Sequence, residues 1–402
     1  MVDFPQELID AIIDEVAATK HWFDYLDRET LKSCALAAHA FSEQSQRHLF
    51  TSLTLWKIDS PPPGLTLATN ARLLSYVLNL TLMNLDLGDQ ERQIHNIQLF
   101  TLCNRVTRCC IRFSGRSGWK WNSLPDEICG PLFSFLALPT LRCLQLDAFP
   151  GTSLPPSLIH YALASYSEVA LNIFQLETDT DAVLLPTRPP AHIQPLSKLC
   201  LSYQPDSCPG LHTLMLGDDV MHHLQHLQHL ELVVPRRGSL HGLEEILPKC
   251  GDSLQHLIIN FEWRHDDPLQ LPHLPELRLL TLKAAMRRLR IPYGLMRTLI
   301  ILPECTPSLE VLTIVVVSEF DETQLYPEFH NNRCTEEDMA LKSLPRLREV
   351  NVDATTAYLE RDENFSKVVL TDFRMAHEAG KLSYVYQPAH SRKYHPMRYF
   401  SN

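Results

Sequence analysis

Glycine is scarce in this sequence, with 13 residues of 402 against 28 prolines. The glycine-rich signatures that cradle phosphates, GxxxxGK[ST] and GxGxxG, do not occur in it. The hydrolase motif GxSxG and the zinc-protease motif HExxH are missing as well. No other pattern ties Ser, His, Asp or Cys into a nucleophile–base pair. We therefore predict that the protein is not an enzyme, with no catalytic residues, no metal and no cofactor.

Long apolar runs and paired cysteine motifs are also absent. No run approaches the ~18 apolar residues that a membrane helix needs, and the first residues lack the basic region of a signal peptide. The 11 cysteines are odd in number and include no CxxC, which favours reduced thiols in a cytoplasmic or nuclear protein. The net charge of −11 repels phosphate backbones, so we expect no nucleic-acid or membrane partner.

The segment FPQELIDAIIDEV, residues 4–16, predicts an amphipathic helix. Pro5 suits the first turn of a helix, where its missing N–H costs nothing. A wide apolar face with a 3.6-residue period follows, formed by Leu8, Ile9, Ile12, Ile13 and Val16. By itself this face fits either a core helix or a docking helix.

Two further helices and a strand complete a unit that ends at SPPPG, residues 60–64. The second helix is predicted from about Arg28, with Asp27 as its N-cap, and the third follows Ser42. The alternation in TSLTLW predicts a strand. Three short helices bury too little apolar surface to be stable alone, so we expect the unit to pack against the rest of its chain or against another protein.

These N-terminal helices resemble an F-box, most closely the F-box-like motif of filamentous fungi. The resemblance rests on FPxELIxxII, on Leu31, on CALAAHAF from Cys34 to Phe41 and on RHLF from Arg47 to Phe50. It implies docking to a Skp-type adaptor and, through it, to a cullin–RING ubiquitin ligase. Phe4 and Ala37 stand where the family has Leu and Val, and the link between the first two helices is longer. The residues that the resemblance assigns to adaptor binding are Phe4, Pro5, Leu8, Ile9, Ile12, Ile13, Leu31, Leu36 and Phe41.

A pattern LxxLxL, with conservative swaps, recurs along the rest of the chain. Its copies begin at Leu141, Leu196, Leu211, Leu227, Leu254, Leu277, Leu309 and Leu347, with weaker ones at Val77, Val106 and Tyr166. The copy at Leu211 breaks the spacing, and a helix is the alternative there.

Proline precedes several copies, as in LPTL, LPEL and LPRL, and separates a helix from the extended segment that follows it. Helix-like segments, clearest at 242–251 and 89–104, lie between copies. One strand and one helix per repeat is the arrangement found in leucine-rich repeats, which stack into curved solenoids. The array resembles the irregular leucine-rich repeats that follow fungal F-boxes. An ordinary open α/β sheet is the alternative architecture.

The predicted fold is therefore α/β, a short three-helix F-box followed by an irregular leucine-rich-repeat solenoid. The predicted domains are residues 1–58 and 65–386, with a polar tail at 387–402. Residues 318–338 are acidic and predict a loop between late repeats, and a helix and a final strand are expected near the end.

Two clusters invite other interpretations. His222 and His226 have the spacing of zinc ligands on a helix, but the histidines in MHHLQHLQHLEL also fill the variable positions of a repeat, which we favour. A basic patch of Lys283, Arg287, Arg288 and Arg290 follows the copy at Leu277. Its arginine cluster, Arg287, Arg288 and Arg290, is a candidate substrate-binding site for a phosphorylated segment, or a solvated turn.

The sequence thus favours a substrate-recognition subunit of a Skp–cullin–F-box ubiquitin ligase, whose repeats bind an unknown protein. The alternative is a repeat scaffold that binds a partner without any role in ubiquitin transfer.

Overall fold

The computed structural model describes residues 5–18, 24–55, 71–83, 102–113, 119–121, 126–177, 195–202, 208–234, 241–261, 268–286, 293–318, 335–356, 369–370 and 373–388. The chain divides into two compact units, Met1–Leu196 and Ser197–Asn402. The predicted boundary between residues 58 and 65 lies outside the described residues.

The first unit begins with three helices, α1 (Gln6–Ala18), α2 (Asp24–Ala37) and α3 (His39–Phe50). Its further helices are α4 (Ala71–Leu74), α5 (Asp126–Leu136) and α6 (Pro156–Ser165). Its strands are β1 (Ser52–Leu55), β2 (Asn79–Met83), β3 (Arg108–Phe113), β4 (Trp119–Lys120), β5 (Cys143–Ala148), β6 (Thr152–Ser153) and β7 (Glu168–Asn172). The predicted helix–helix–helix–strand order at the start is confirmed.

The strands of the first unit pair in parallel. Their order is β1-β2-β3-β5-β7, and β4 pairs with β6 in a separate short ladder. Parallel neighbours require a crossover between strands, and α5 and α6 provide it between β3 and β5 and between β5 and β7.

The second unit repeats the same arrangement. Its helices are α7 (Pro209–Leu216), α8 (Asp218–Leu224), α9 (His241–Cys250), α10 (Tyr293–Cys305), α11 (Thr335–Ser343) and α12 (Arg374–Glu378). Its strands are β8 (Lys198–Ser202), β9 (His229–Val234), β10 (His256–Phe261), β11 (Leu279–Met286), β12 (Val311–Ser318), β13 (Glu349–Thr356) and β14 (Leu382–Pro388). They pair in parallel in chain order from β8 to β14. The predicted α/β class is confirmed.

The repeated LxxLxL pattern becomes two ladders of buried apolar side chains. Each second and third apolar position of a copy lies directly opposite its counterpart on the next strand, so one core runs along all the repeats of a unit. In the second unit the ladders are Leu199, Leu230, Leu257, Leu280, Leu312 and Val350, and Leu201, Leu232, Ile259, Leu282, Ile314 and Val352.

Turns fix where each strand begins. The N–H of Leu141 donates to the carbonyl of Leu138, and Leu277 and Leu309 make the same bond three residues back. The proline of LPTL, LPEL or TPSL is therefore the second residue of a β-turn, a position that suits its fixed φ. Leu227 makes the same bond to Leu224 without a proline, so the turn recurs beyond the copies that proline marks.

A second recurring bond links each copy to the next. The carbonyl just before a strand accepts the N–H groups of two successive residues on the following copy. In the second unit the acceptors are Ser197, Gln228, Gln255, Arg278 and Glu310.

Three details refine the sequence predictions. The copy at Leu211 lies in α7, where Leu211 and Met215 are buried one turn apart, so the helix alternative is confirmed. The helix α11 begins at Thr335, inside the loop predicted to reach residue 338, because three acidic residues follow Thr335 and stabilise a helix start. Most of the helix predicted at 89–104 lies outside the described residues.

Candidate functional site

The helix α1 carries two apolar stripes with different environments. Ile9 and Ile13, one turn apart, are 7% and 1% exposed and pack inside the helical unit. Leu8 and Ile12, also one turn apart, are 51% and 50% exposed. The apolar face of α1 therefore has an inner part, buried in the helical unit, and an outer part that is half exposed to solvent.

The helix α2 divides in the same way. Leu31 is 5% exposed, whereas Leu36, close to the end of the helix, is 87% exposed. Of the other residues assigned to adaptor binding, Pro5 is exposed and Phe41 half-buried. Phe4 lies outside the described residues. The set predicted from the resemblance is thus divided between an exposed group and buried residues that hold the helices together.

Polar contacts fix how α1 lies against α3. The side-chain N–H of Gln6 donates to the carbonyl of Ala40 over 2.9 Å. At the other end of α1, Asp14 lies 2.5 Å from Gln44 Nε2 and 2.6 Å from His48 Nε2. Hydrogen bonding from His48, then from Gln44, lowers the pKa of the Asp14 carboxyl below its ordinary value. The contacts occur in the same order along both helices, so α1 and α3 run in the same direction.

Among the described residues of the first two helices, the exposed large apolar side chains are Leu8, Ile12 and Leu36. Gln6 is two residues from Leu8, and its partner Ala40 lies just beyond the corner that follows Leu36. We define the outer patch as Leu8, Ile12 and Leu36. Complete burial of a Leu or Ile side chain stabilises by roughly 1.5–3 kcal/mol. Covering the exposed parts of the outer patch would therefore contribute about 4 kcal/mol, which corresponds to about a thousandfold in Kd.

The helical unit is joined firmly to the first strands. The carbonyl of Thr51, at the end of α3, accepts the N–H groups of Leu78 and Asn79. Glu43 on α3 forms an ion pair with Arg72 on α4 at 3.0 Å. The outer patch is thus presented on helices anchored to the parallel strands.

The remaining predicted residues are those of the arginine cluster and the histidine segment. Arg287, Arg288 and Arg290 lie outside the described residues. His222 and His223 lie on α8 with ring centroids 3.7 Å apart, and His226 follows the helix. Across the described part of the chain, no group of three or more His, Cys, Asp or Glu residues has the arrangement of a metal site. No described helix is long and apolar enough to cross a membrane.

A polar cluster in the second unit was not predicted from the sequence. We define the polar face as the strand positions that alternate with the buried leucine ladders. On β8 to β11 it carries Lys198, Cys200, His229, Glu231, His256, Asn260 and Lys283. Two of its members drew notice in the sequence, Lys283 in the basic patch and His229 in the segment MHHLQHLQHLEL. Aligning the variable positions of consecutive copies would have collected these residues on neighbouring strands.

No protein-family model matches the chain. No curated protein matches it either. The geometry of the outer patch and the resemblance of its motif are therefore the grounds for assigning a function.

Proposed function

We propose that the protein is a substrate-recognition subunit of a Skp–cullin–F-box ubiquitin ligase. Its N-terminal helices dock on a Skp-type adaptor, and its repeat region binds a protein substrate. The observation that carries this proposal is the outer patch, because large aliphatic side chains exposed on the chain alone are what a docking helix requires. The chain itself performs no bond chemistry: it holds a substrate lysine near a ubiquitin-loaded partner.

The division of α1 and α2 supports this proposal over a repeat scaffold without a role in ubiquitin transfer. In the chain alone Leu8 and Ile12 remain half exposed while Ile9 and Ile13 are buried, which leaves an apolar surface that a partner can cover. Adaptor contacts are accordingly assigned to Pro5, Leu8, Ile12 and Leu36. Ile9, Ile13 and Leu31 support them from within.

The repeat region is proposed to be an irregular leucine-rich-repeat solenoid. The two ladders of buried side chains and the recurring turn support it, because each copy buries its leucines only against its neighbours. Such an array presents the variable positions of its strands as a continuous surface, which suits the recognition of a protein segment.

The test is capture of the full chain by a purified Skp-type adaptor. The wild type is compared with the double variant Pro5→Ala, Leu8→Asp, which places a charge inside the docking surface. We expect the wild type to be retained and the double variant to be lost, because burying an unpaired carboxylate in an apolar interface costs several kcal/mol.

Circular dichroism supplies the control: Pro5 is exposed and Leu8 half exposed, so the variant should remain folded. Retention of the two proteins in equal amounts would contradict the proposed docking surface. Unfolding of the variant would show instead that the outer patch is part of the core.

A further inference from the structure

Two polar groups on the polar face of the second unit are buried without a partner. Asn260 is 4% exposed, and its side-chain Nδ2 has no hydrogen-bond partner among the described residues. Nε2 of His229, on the neighbouring strand β9, is also buried and also has no hydrogen-bond partner among the described residues. Leaving a buried donor unpaired costs about 1–3 kcal/mol. A cost of this size is explained when an acceptor arrives from another molecule.

An ammonium group lies beside the unpaired amide. Lys283 on β11 is directly opposite Asn260 on β10, and its Nζ lies 3.7 Å from Glu231 Oε1 on β9. Since β10 lies between β9 and β11, this ion pair crosses over β10 near Asn260. A separation of 3.7 Å is longer than a hydrogen bond. The ammonium therefore retains donors for an acceptor that also reaches Asn260.

The charge on these strands favours a single negative charge on the ligand. Lys198, Lys283 and Glu231 together leave one net positive charge. Burial lowers the pKa of His229 to about 3, and burial also lowers the pKa of His256, so both rings are neutral near pH 7. A carboxylate matches this charge better than a phosphoryl group, which carries nearly two negative charges.

The spacing of the two unpaired groups favours an extended segment over a small anion. His229 lies directly opposite His256, four residues before Asn260 on β10. At ~3.3 Å per residue the two groups are ~13 Å apart along the strands, the reach of about four residues of extended chain. A free anion would meet only one of them.

We propose that the polar face of β8 to β11 binds an extended protein segment through a carboxylate side chain, which accepts hydrogen bonds from Asn260 and Lys283. This inference rests on the proposed function, in that it gives the repeat region a substrate class: a segment bearing Asp or Glu.

The test uses the full chain, labelled with ¹⁵N in its asparagine side chains, and three capped pentapeptides. They are Ala-Ala-Glu-Ala-Ala and its counterparts with glutamine or phosphoserine at the centre. The Asn260 amide signal is assigned as the one missing from the Asn260→Ala variant. We expect the glutamate peptide to shift this signal with an affinity about tenfold higher than the glutamine peptide, since hydrogen bonds to charged groups are the stronger ones.

Two variants test whether the ammonium group of Lys283 recognises the glutamate carboxylate. Lys283→Met should abolish the preference for glutamate over glutamine, whereas Lys342→Met, at an exposed lysine of α11, should retain it. Equal affinity for glutamate and glutamine, tighter binding of phosphoserine, or no shift of the Asn260 signal would each overturn the proposal. If Lys283→Met does not fold, the comparison of peptides on the wild type still decides. No adaptor is present in this assay, so its outcome is independent of adaptor docking.

Discussion

Truncation of Leu36 to alanine gives a quantitative test of the outer patch. The change removes three carbons, worth about 0.8 kcal/mol each when buried. Since 87% of the side chain is exposed in the chain alone, nearly all of this contribution belongs to the complex. We expect a loss of about 2 kcal/mol of binding free energy, or about a 30-fold rise in Kd for the adaptor.

The stability of the protein itself should be almost unchanged by Leu36→Ala. Exposed substitutions shift the free energy of unfolding by about 0.5 kcal/mol or less, and alanine is the better helix former. Isothermal titration of the purified adaptor into the full chain gives the Kd, and thermal unfolding monitors the fold.

The matched control is Met339→Ala on α11. Met339 is 58% exposed and belongs to the second unit, so its truncation should leave the Kd for the adaptor unchanged. The reasoning is refuted if Leu36→Ala binds within about twofold of the wild type, or if Met339→Ala weakens binding equally.

Three further predictions concern the repeat region. Leu257→Ala, in the middle of a buried ladder, should lower the free energy of unfolding by about 2–5 kcal/mol in urea denaturation. The loss should be clearly smaller for Leu279→Ala, at a strand position that is 37% exposed; equal losses would refute the ladder as the core. Asp338 accepts hydrogen bonds from the backbone N–H groups of Met375 and Ala376 at the start of α12. Asp338→Ala should therefore lower the free energy of unfolding by about 1–3 kcal/mol, and Asp338→Asn by clearly less. Equal losses in the two variants would exclude a capping role. Burial lowers the pKa of His229 from its ordinary 6.5 to about 3, so between these values only the unfolded chain is protonated at this residue. The free energy of unfolding should therefore fall as the pH drops from 6.5 towards 3. In His229→Gln the unfolding temperature should fall less over the same pH range.

The repeats could be predicted from the sequence because their signal is local and recurs. Each copy of LxxLxL places its second and third leucines on one side of a strand, and a proline turn marks where the strand begins. Even the weak copies at Val77, Val106 and Tyr166 became β2, β3 and β7. The copy at Leu211 could not be decided, because the same leucine spacing also fits one side of a helix.

The division of the apolar helix residues into inner and outer groups could not be predicted from the sequence. Ile9 and Ile12 are the same residue type, and both lie on the one wide apolar face of the helix. Which of them is buried depends on how α1 packs against α3, and hence on contacts between distant residues such as Gln6 and Ala40. The cluster at Asn260 was missed for a different reason: its members come from four strands, and they are collected only when the variable positions of consecutive copies are aligned.

Amide hydrogen exchange of the full chain, with and without a purified Skp-type adaptor, shows directly whether the N-terminal helices are the docking surface. We expect added protection in residues 5–18 and 29–50, which carry the outer patch and its supporting helices, with the strands of the second unit unchanged. Absence of added protection in these helices at saturating adaptor, or protection confined to the second unit, would contradict this expectation.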